Sequence, residues 1–225
     1  MMSTATDTTR PAAPFATMRD AMVVSQLRTS GVDDRRVIEA MARVPREDFV
    51  PDAVKSLAYR DTQLSLGGGR MHNTPLATGR LLNEAGIEPG DRVLLIGAAG
   101  GYAAALLSGL AREVVAVEEA PLAADARAAL AGFGNVEVVE GTLSDGAPDH
   151  GPFDVIMIDG AVEALPDTLL AQTKDGARIV TGLVDRGVTR LAAGRRTAGG
   201  FGLFDFVDLD CAVLPGFDKP RSFQF

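Results

Sequence analysis

Four short segments of this sequence place glycine or a carboxylate directly after an apolar run. The run at 93–96 leads into Gly-Ala-Ala-Gly-Gly at 97–101, and three later runs end in Glu118, Glu140 and Asp159. Apolar runs of this length are typical of buried parallel strands. Because open α/β sheets bind ligands at the carboxyl ends of their strands, we interpret the four segments as parts of one binding site.

The segment at 97–101 and Glu118 together predict an adenosine-type ligand. A turn of small residues lets a ligand approach the backbone closely, here at Gly97, Ala98, Ala99 and Gly101. Glu118 lies 21 residues after Gly97, where an acid can accept both hydroxyls of a ribose. The alternative is a tight strand–helix turn followed by a solvated acid.

The glycine spacing also distinguishes between cofactors. A dinucleotide-binding turn needs Gly-x-Gly-x-x-Gly to seat a pyrophosphate, whereas here the second glycine is Ala99 and position 102 is tyrosine. The pattern therefore favours a ligand without a pyrophosphate, such as S-adenosylmethionine, over NAD. No metal site is expected, since the chain has two histidines and one cysteine.

The acids after the next strands have two possible roles each. Glu140, which precedes Gly141, can accept from an adenine amino group or can be an exposed acid at a strand end. Asp159 can project from a buried strand into the ligand crevice, or it can cap a following helix. Glu119, beside Glu118, is a further candidate for the cofactor.

Residues 70–75, Arg-Met-His-Asn-Thr-Pro, carry the polar groups that could act on a second substrate. Arg70 could pair bidentately with a carboxylate, or it could be a solvated loop cation. His72 could orient or deprotonate an acceptor, or it could be structural. Asn73 offers an amide donor, and Thr74 offers a hydroxyl unless that hydroxyl caps the helix predicted to begin at Pro75.

The elements that must position these residues alternate between strand and helix. Strands are predicted at 93–96, 114–117, 136–139, 155–158 and 178–180, with helices at 101–110, 122–130 and 166–172. This alternation predicts βαβ units and a parallel sheet covered on both faces. Runs at 188–192 and 201–209, joined through Gly194–Gly200, predict an antiparallel hairpin.

The N-terminal part is predicted to be largely helical. One helix is expected over 18–30 with Thr17 as its N-cap and Gly31 as its stop, and a second begins after Asp33. Residues 46–70 look irregular, with a short helix over 53–59, and a third helix runs from Pro75 to Gly86. Residues 1–16 are expected to form a disordered tail without a secretory signal.

Composition excludes several classes of function. Thirty acidic against 22 basic residues give a net charge of −8, which disfavours binding to nucleic acid. The uncharged residues 93–111 have Gly97, Gly100 and Gly101 in their middle and fit a strand–turn–helix better than a membrane span. We therefore expect a cytoplasmic protein, acting as a monomer or weak dimer without nucleic-acid or membrane partners.

From Met22 to about Val180 the sequence resembles the protein-L-isoaspartate O-methyltransferases. The resemblance rests on Val37-Ile38-Glu39-Ala40-Met41, on the stretch from Val44 to Pro51 (Val-Pro-Arg-Glu-Asp-Phe-Val-Pro), on Ala58-Tyr59-Arg60-Asp61, and on Pro89-Gly90-Asp91-Arg92-Val93-Leu94 before the glycine turn. Against the family pattern, Asn73 stands where the acceptor loop has its active-site serine, Met71 replaces a threonine, Leu95 replaces an acid and Ala99 replaces a glycine.

The resemblance implies a Rossmann-like class I fold that binds S-adenosylmethionine. Such a fold has a mostly parallel seven-stranded sheet flanked by helices, antiparallel C-terminal strands and a helical N-terminal cap. Residues 17–86 would form the cap with the acceptor loop and residues 87–225 the donor-binding core, within one structural domain over 17–225. The glycine turn would contact the methionine, Glu118 the ribose and Glu140 the adenine.

The implied activity is methyl transfer to a carboxylate of isoaspartyl residues in proteins or peptides. Asn73, Thr74 and His72 are then the candidate catalytic residues, and Arg70 and Asp61 the candidate substrate-binding residues. Two alternatives stay open: a methyltransferase of the same fold with another acceptor, and a non-catalytic homologue that binds the donor, its product or a partner protein.

Overall fold

The computed structural model describes residues 14–219, which form a seven-stranded sheet with helices on both faces. The strands of this sheet are β3 (Arg92–Ile96), β4 (Glu113–Glu118), β5 (Val136–Glu140), β6 (Phe153–Val162), β7 (Thr173–Asp185), β8 (Val188–Arg195) and β9 (Leu203–Asp208). Their order is β5-β4-β3-β6-β7-β8-β9. The chain reverses strand order between β3 and β6, which is where ligands bind in such sheets.

The parallel and antiparallel parts of the sheet confirm the predicted architecture. Strands β3 to β7 pair in parallel, and β8 and β9 add antiparallel ladders at one side. Helices α4 (Tyr102–Ser108), α5 (Leu122–Ala129) and α6 (Asp167–Leu170) connect the parallel strands. The uncharged run is therefore a strand, a turn and a helix. Along residues 14–219 no helix is both long and apolar enough to cross a membrane.

The two faces of the sheet have separate apolar cores. On β3, Val93 and Leu95 pack against the N-terminal helices, while Leu94 and Ile96 face a second cluster that includes Leu214. This alternation follows from the two-residue period of a strand. Leu95, which stands in the place of an acid, is completely buried in the first core.

The N-terminal cap differs from its prediction at the starts of its helices. Helix α1 (Pro14–Met22) begins before Thr17, so Thr17 is not its N-cap and residues 14–16 are not tail. The predicted tail at 1–13 lies outside the described residues. A π-helical turn (Val23–Leu27) and a 3-10 turn (Arg28–Ser30) continue α1 to Gly31. Gly31 ends this helical stretch with a φ of 81°. Helix α2 (Arg35–Arg43) is capped by Asp34 and not by Asp33.

The stretch at 46–70, predicted to be irregular, contains short helical turns and a β-hairpin. The turns span Arg46–Phe49 and Asp52–Leu57, and the hairpin pairs β1 (Leu64–Gly67) with β2 (Arg70–His72). This hairpin is a two-stranded sheet apart from the main one. Helix α3 (Pro75–Ala85) follows, which confirms the predicted start at Pro75 and end at Gly86. Thr74 is its N-cap, and Gly86 adopts the left-handed conformation.

Candidate functional site

Glu118 lies at the carboxyl end of β4 and is completely buried. Its Oε2 accepts from the backbone N–H of Ala99 at 2.6 Å, and its Oε1 accepts from the N–H of Glu119 at 2.9 Å. A carboxylate gripped by two backbone donors keeps a fixed orientation. Glu140, its register partner at the end of β5, is exposed and contacts Arg127 at 3.4 Å.

The glycine turn uses most of its backbone donors within the chain. The N–H groups of Gly97 and Ala98 both bond to the carbonyl of Val117, Ala99 bonds to Glu118, and Gly101 bonds to Ala98. These four N–H groups are therefore not free donors in this structure. The turn contributes close backbone approach, and Gly97 has a positive φ of 79° that favours glycine.

The C-terminal segment lies against the turn. A Cβ on Gly97 would come within 2.9 Å of the Leu214 side chain, and one on Gly160 within 2.5 Å. Leu214 donates its N–H to the carbonyl of Ala161, which extends the contact along β6. Nothing in the sequence pattern predicted that residues 211–214 would reach this edge of the sheet.

Asp159 and Asn73 meet at the neighbouring strand end. Asp159 lies within β6, one residue after the last pair that β6 forms with β3, and its predicted alternative role as a helix cap is wrong because the strand continues to Val162. Its Oδ1 accepts from Asn73 Nδ2 and from Thr78 Oγ1, each at 3.0 Å. Burial raises the pKa of the Asp159 carboxyl, and the hydrogen bonds from Asn73 and Thr78 oppose that rise.

The Asn73 side chain joins three parts of the fold. Besides donating to Asp159, it accepts from the backbone N–H of Ala212 at 3.1 Å and of Thr74 at 3.2 Å. Its backbone carbonyl accepts from Arg46 at 2.5 Å. Since Asn73 is 1% exposed, its amide positions the loop, β6 and the C-terminal segment together.

Two other candidate residues, Thr74 and Asp61, accept hydrogen bonds from the first turn of α3. The Thr74 hydroxyl accepts from the N–H of Ala77 at 3.0 Å, and Asp61 accepts from the N–H of Leu76 at 3.3 Å. Both side chains therefore satisfy N–H groups that a helix leaves unpaired at its start. The structure gives Thr74 the capping role that the sequence left open.

His72 is buried beside Arg46 and Tyr102 and away from solvent. Its ring lies 5.9 Å from that of Tyr102, and the Arg46 guanidinium lies 4.9 Å from the Tyr102 ring centre. Within the described chain, both ring nitrogens of His72, Arg46 Nε and Nη1, and the Tyr102 hydroxyl have no hydrogen-bond partner. Burial, reinforced by the charge of Arg46, holds the pKa of His72 well below its ordinary 6.5.

The burial of His72 makes stability depend on pH. The folded chain keeps His72 neutral, whereas the unfolded chain takes up a proton below 6.5, so stability is lost as the pH falls from 6.5 towards the lowered pKa. The contribution is about 1.4 kcal/mol per pH unit in that window. His72→Leu should remove this slope from the free energy of unfolding, measured in urea between pH about 7 and about 5.5.

The chain contains one matched control for this prediction. His150, the other histidine, is half-buried and lies 3.6 Å from Glu137. His150→Gln should leave the slope assigned to His72 in place. Parallel pH profiles for the wild type and His72→Leu would contradict the assignment.

Arg70 does not lie free beside an acceptor but pairs with Glu118. Its Nη1 and Nη2 donate to the two carboxylate oxygens at 2.6 and 3.0 Å, and its side chain is 12% exposed. The alternative of a solvated cation is therefore wrong. Arg70, His72 and Asn73 have different partners and do not converge on one point.

Sequence reasoning missed Arg46, Thr78 and Leu214. Thr78 follows Thr74 by four residues, so the helical period could have placed both on the face towards the sheet. Arg46 lies within Pro45-Arg46-Glu47, but nothing local indicates that an arginine there is fully buried.

The residues at this edge fit S-adenosylmethionine in their chemistry. Glu118 is a preorganised acid at the carboxyl end of β4, and Glu140 lies at the end of the next strand. The side of Gly97 where a Cβ would stand is taken by the Leu214 side chain in this structure. Arg70 donates to both carboxylate oxygens of Glu118 in this structure. A ribose can therefore bind Glu118 only if Arg70 gives up these hydrogen bonds.

A sequence model of the protein-L-isoaspartate(D-aspartate) O-methyltransferase family matches residues 18–200. The chain belongs to this family. It is 42% identical over 170 residues to a protein-L-isoaspartate O-methyltransferase of a Synechococcus strain, a match that covers 74% of this chain and 70% of the relative. It is 37% identical over 214 residues to the Methylorubrum extorquens protein of the same name, covering 92% and 94%.

Solved structures agree on the fold. A structure titled protein-L-isoaspartate O-methyltransferase matches with a TM-score of 0.77 at 24% identity, covering 88% of this chain; the chain spans 66% of that structure's length. A putative Plasmodium falciparum protein of this type, in complex with S-adenosyl-L-homocysteine, matches with a TM-score of 0.71 at 16% identity and coverages of 89% and 97%. The fold is thus a class I methyltransferase fold.

Proposed function

We propose that this chain transfers a methyl group from S-adenosylmethionine to a carboxylate of isoaspartyl residues in proteins or peptides. The observation that carries the proposal is the buried Glu118 carboxylate, fixed by two backbone N–H groups at the strand end that borders the switch point. Membership of the family supports the isoaspartyl acceptor over the two alternatives. We further propose a monomer or weak dimer acting in the cytoplasm.

The donor-binding residues follow from their places at this edge. We assign the ribose to Glu118, the adenine to Glu140, and the methionine part to the turn, with the full set being Gly97, Ala98, Ala99, Gly101, Glu118, Glu119, Glu140, Gly141 and Asp159. Asp159 follows Ile158, and Gly97 follows Ile96, directly after the last residue pair that β6 and β3 form. We assign the ammonium group of the methionine to Asp159, because Leu95 stands in the place of the acid that the family pattern has in β3.

The chemistry asks little of the side chains as acids or bases. The bound donor supplies an electrophilic methyl group on a positively charged sulfur. An acceptor carboxylate has a pKa near 4, so at neutral pH it attacks without a general base. As the new C–O bond forms, the S–C bond breaks and its electron pair stays on sulfur. A buried, neutral His72 is compatible with this reaction, since no proton has to move.

The chain contributes orientation and exclusion of water. Asn73 is proposed to position the site by tying the acceptor loop to Asp159 and Ala212, and Thr74 and Asp61 by fixing the start of α3. This division of roles explains how the loop can work with asparagine in place of serine. His72 is proposed to support the loop through packing against Tyr102.

Asn73→Ala should slow methyl transfer about tenfold or more, because Asp159 loses a donor and the Ala212 N–H loses its acceptor. The measurement uses S-adenosylmethionine labelled in its methyl group and an isoaspartyl peptide, with base-labile methyl ester as the product. The same peptide with ordinary aspartate should stay unlabelled. Asn135→Ala is the control, since the Asn135 amide also makes several hydrogen bonds, here by donating to the backbone carbonyls of Ser108 and Ala111, but is remote from this edge.

The outcomes separate the proposed function from its alternatives. Donor binding without any ester on the isoaspartyl peptide, in the wild type and in Asn73→Ser, would contradict the acceptor assignment. An absence of donor binding would contradict methyl transfer altogether. Equal rates for Asn73→Ala and Asn135→Ala would remove Asn73 from the positioning role.

A further inference from the structure

Arg70 and Glu118 form a fork-shaped ion pair in the place assigned to the donor ribose. The two guanidinium nitrogens meet the two carboxylate oxygens at 2.6 and 3.0 Å. The other bonds of Glu118 come from the N–H groups of Ala99 and Glu119, which belong to the backbone of the turn and strand end. Each oxygen thus accepts two bonds, and a carboxylate has about four such positions.

A ribose needs the two positions that Arg70 holds. The backbone N–H groups cannot withdraw without unmaking the turn, whereas the Arg70 side chain can leave by changing its own torsions. A donor therefore reaches Glu118 only in exchange for the guanidinium. This step rests on the proposed function, because it takes Glu118 as the residue for the ribose.

The hairpin that carries Arg70 has an exposed glycine tip. Strands β1 and β2 form a separate two-stranded sheet, in which Gly67, the last residue of β1, is followed by Gly68 and Gly69 before β2 begins. All three glycines have positive φ, and a Cβ added at any of them would meet no atom within 4 Å. Arg70 follows these glycines directly. Its Nε is buried without a partner in the described part of the chain, so the pair leaves one donor of the guanidinium unsatisfied.

We propose that Arg70 is an exchangeable occupant of the ribose position, expelled from Glu118 when the donor binds and thereby freed to bind the acceptor carboxylate. The same fork that fits Glu118 fits the carboxylate of an isoaspartyl residue. The acceptor's anchoring group becomes available only after the donor is in place. The exchange therefore orders the two substrates, with the donor first.

Arg70→Gln should bind S-adenosylhomocysteine about tenfold more tightly than the wild type in calorimetry, because no guanidinium has to be displaced. Its KM for an isoaspartyl peptide should rise about tenfold, since the freed fork is missing. Amide hydrogen exchange over residues 64–72 should quicken in the wild type when S-adenosylhomocysteine binds. Arg190→Gln removes an exposed ion pair between Arg190 on β8 and Asp208 on β9. It should change neither the affinity, nor the KM, nor the hydrogen exchange.

Arg70→Lys covers the case in which Arg70→Gln does not fold. It keeps the charge but loses the fork, so its affinity for S-adenosylhomocysteine should lie between those of the wild type and Arg70→Gln. Tighter binding in either variant supports the exchange, most strongly if the wild type binds too weakly to measure. Wild-type binding with equal or weaker binding in both variants overturns the exchange and leaves the proposed function standing. No binding by any of the proteins overturns both.

Discussion

Glu118→Gln should weaken binding of S-adenosylhomocysteine about a hundredfold and lower the free energy of unfolding by about 3 kcal/mol. The amide replaces one acceptor oxygen with a donor, which faces Arg70 and the N–H groups of Ala99 or Glu119. Arg70, 12% exposed, then keeps its charge without a counter-charge. Calorimetry measures the affinity, and urea unfolding measures the stability.

The same strand offers a matched control at its other end. Glu113 also forms a two-nitrogen pair with an arginine, Arg92, but the Glu113 side chain is 40% exposed. Glu113→Gln should cost less than about 1 kcal/mol and leave donor binding unchanged. Equal affinities for S-adenosylhomocysteine in Glu118→Gln and the wild type would remove Glu118 from the donor site.

Gly100→Ala should destabilise the fold by about 3 kcal/mol or more. A Cβ at this position would lie 2.2 Å from the backbone carbonyl oxygen of Phe49, so relief requires the helical turn Arg46–Phe49 to move off the glycine turn. That turn also carries Arg46, which holds Asn73. The same variant should therefore lose methyl transfer beyond its loss of stability.

Gly109→Ala is the corresponding control at the far end of α4. Its Cβ would meet only the carbonyl oxygen of Leu106, at an ordinary 3.6 Å, and its φ is −85°. Stability and methyl transfer should stay close to wild type. A Gly100→Ala protein as stable as Gly109→Ala would show that the cap does not rest on the glycine turn.

Most of the sheet could be predicted because its signals are local. The apolar runs of β3 and β4 are bounded by turns, and the strand-end acid Glu118 follows from that boundary. Asp159 was found by the same pattern, although β6 continues beyond it to Val162. The Thr74–Pro75 helix start was equally local. The position of an acid at a strand end is thus readable from the sequence.

The hairpin β1–β2 could not be predicted in this way. Its strands are only four and three residues long, and the run of three glycines at 67–69 indicates an irregular loop as well as it indicates a turn. The choice between Asp33 and Asp34 as N-cap of α2 failed for a similar reason, since adjacent acids offer the same cap.

The partners of the acceptor-loop residues depend on tertiary contacts far apart in the sequence. Arg70 and Glu118 are 48 residues apart, Asn73 and Asp159 are 86 apart, and Asn73 and Ala212 are 139 apart. No local pattern says that Arg70 prefers Glu118 to an incoming carboxylate. The burial of His72 is likewise set by Arg46 and Tyr102, from two other elements.

The most direct test of this account is a crystal structure of the wild-type chain grown with S-adenosylhomocysteine. We expect both ribose hydroxyls within hydrogen-bond distance of Glu118, the backbone bonds from Ala99 and Glu119 retained, and the Arg70 guanidinium withdrawn from the carboxylate. A structure in which Arg70 still grips Glu118 while the ligand lies elsewhere would contradict the donor site and the exchange together.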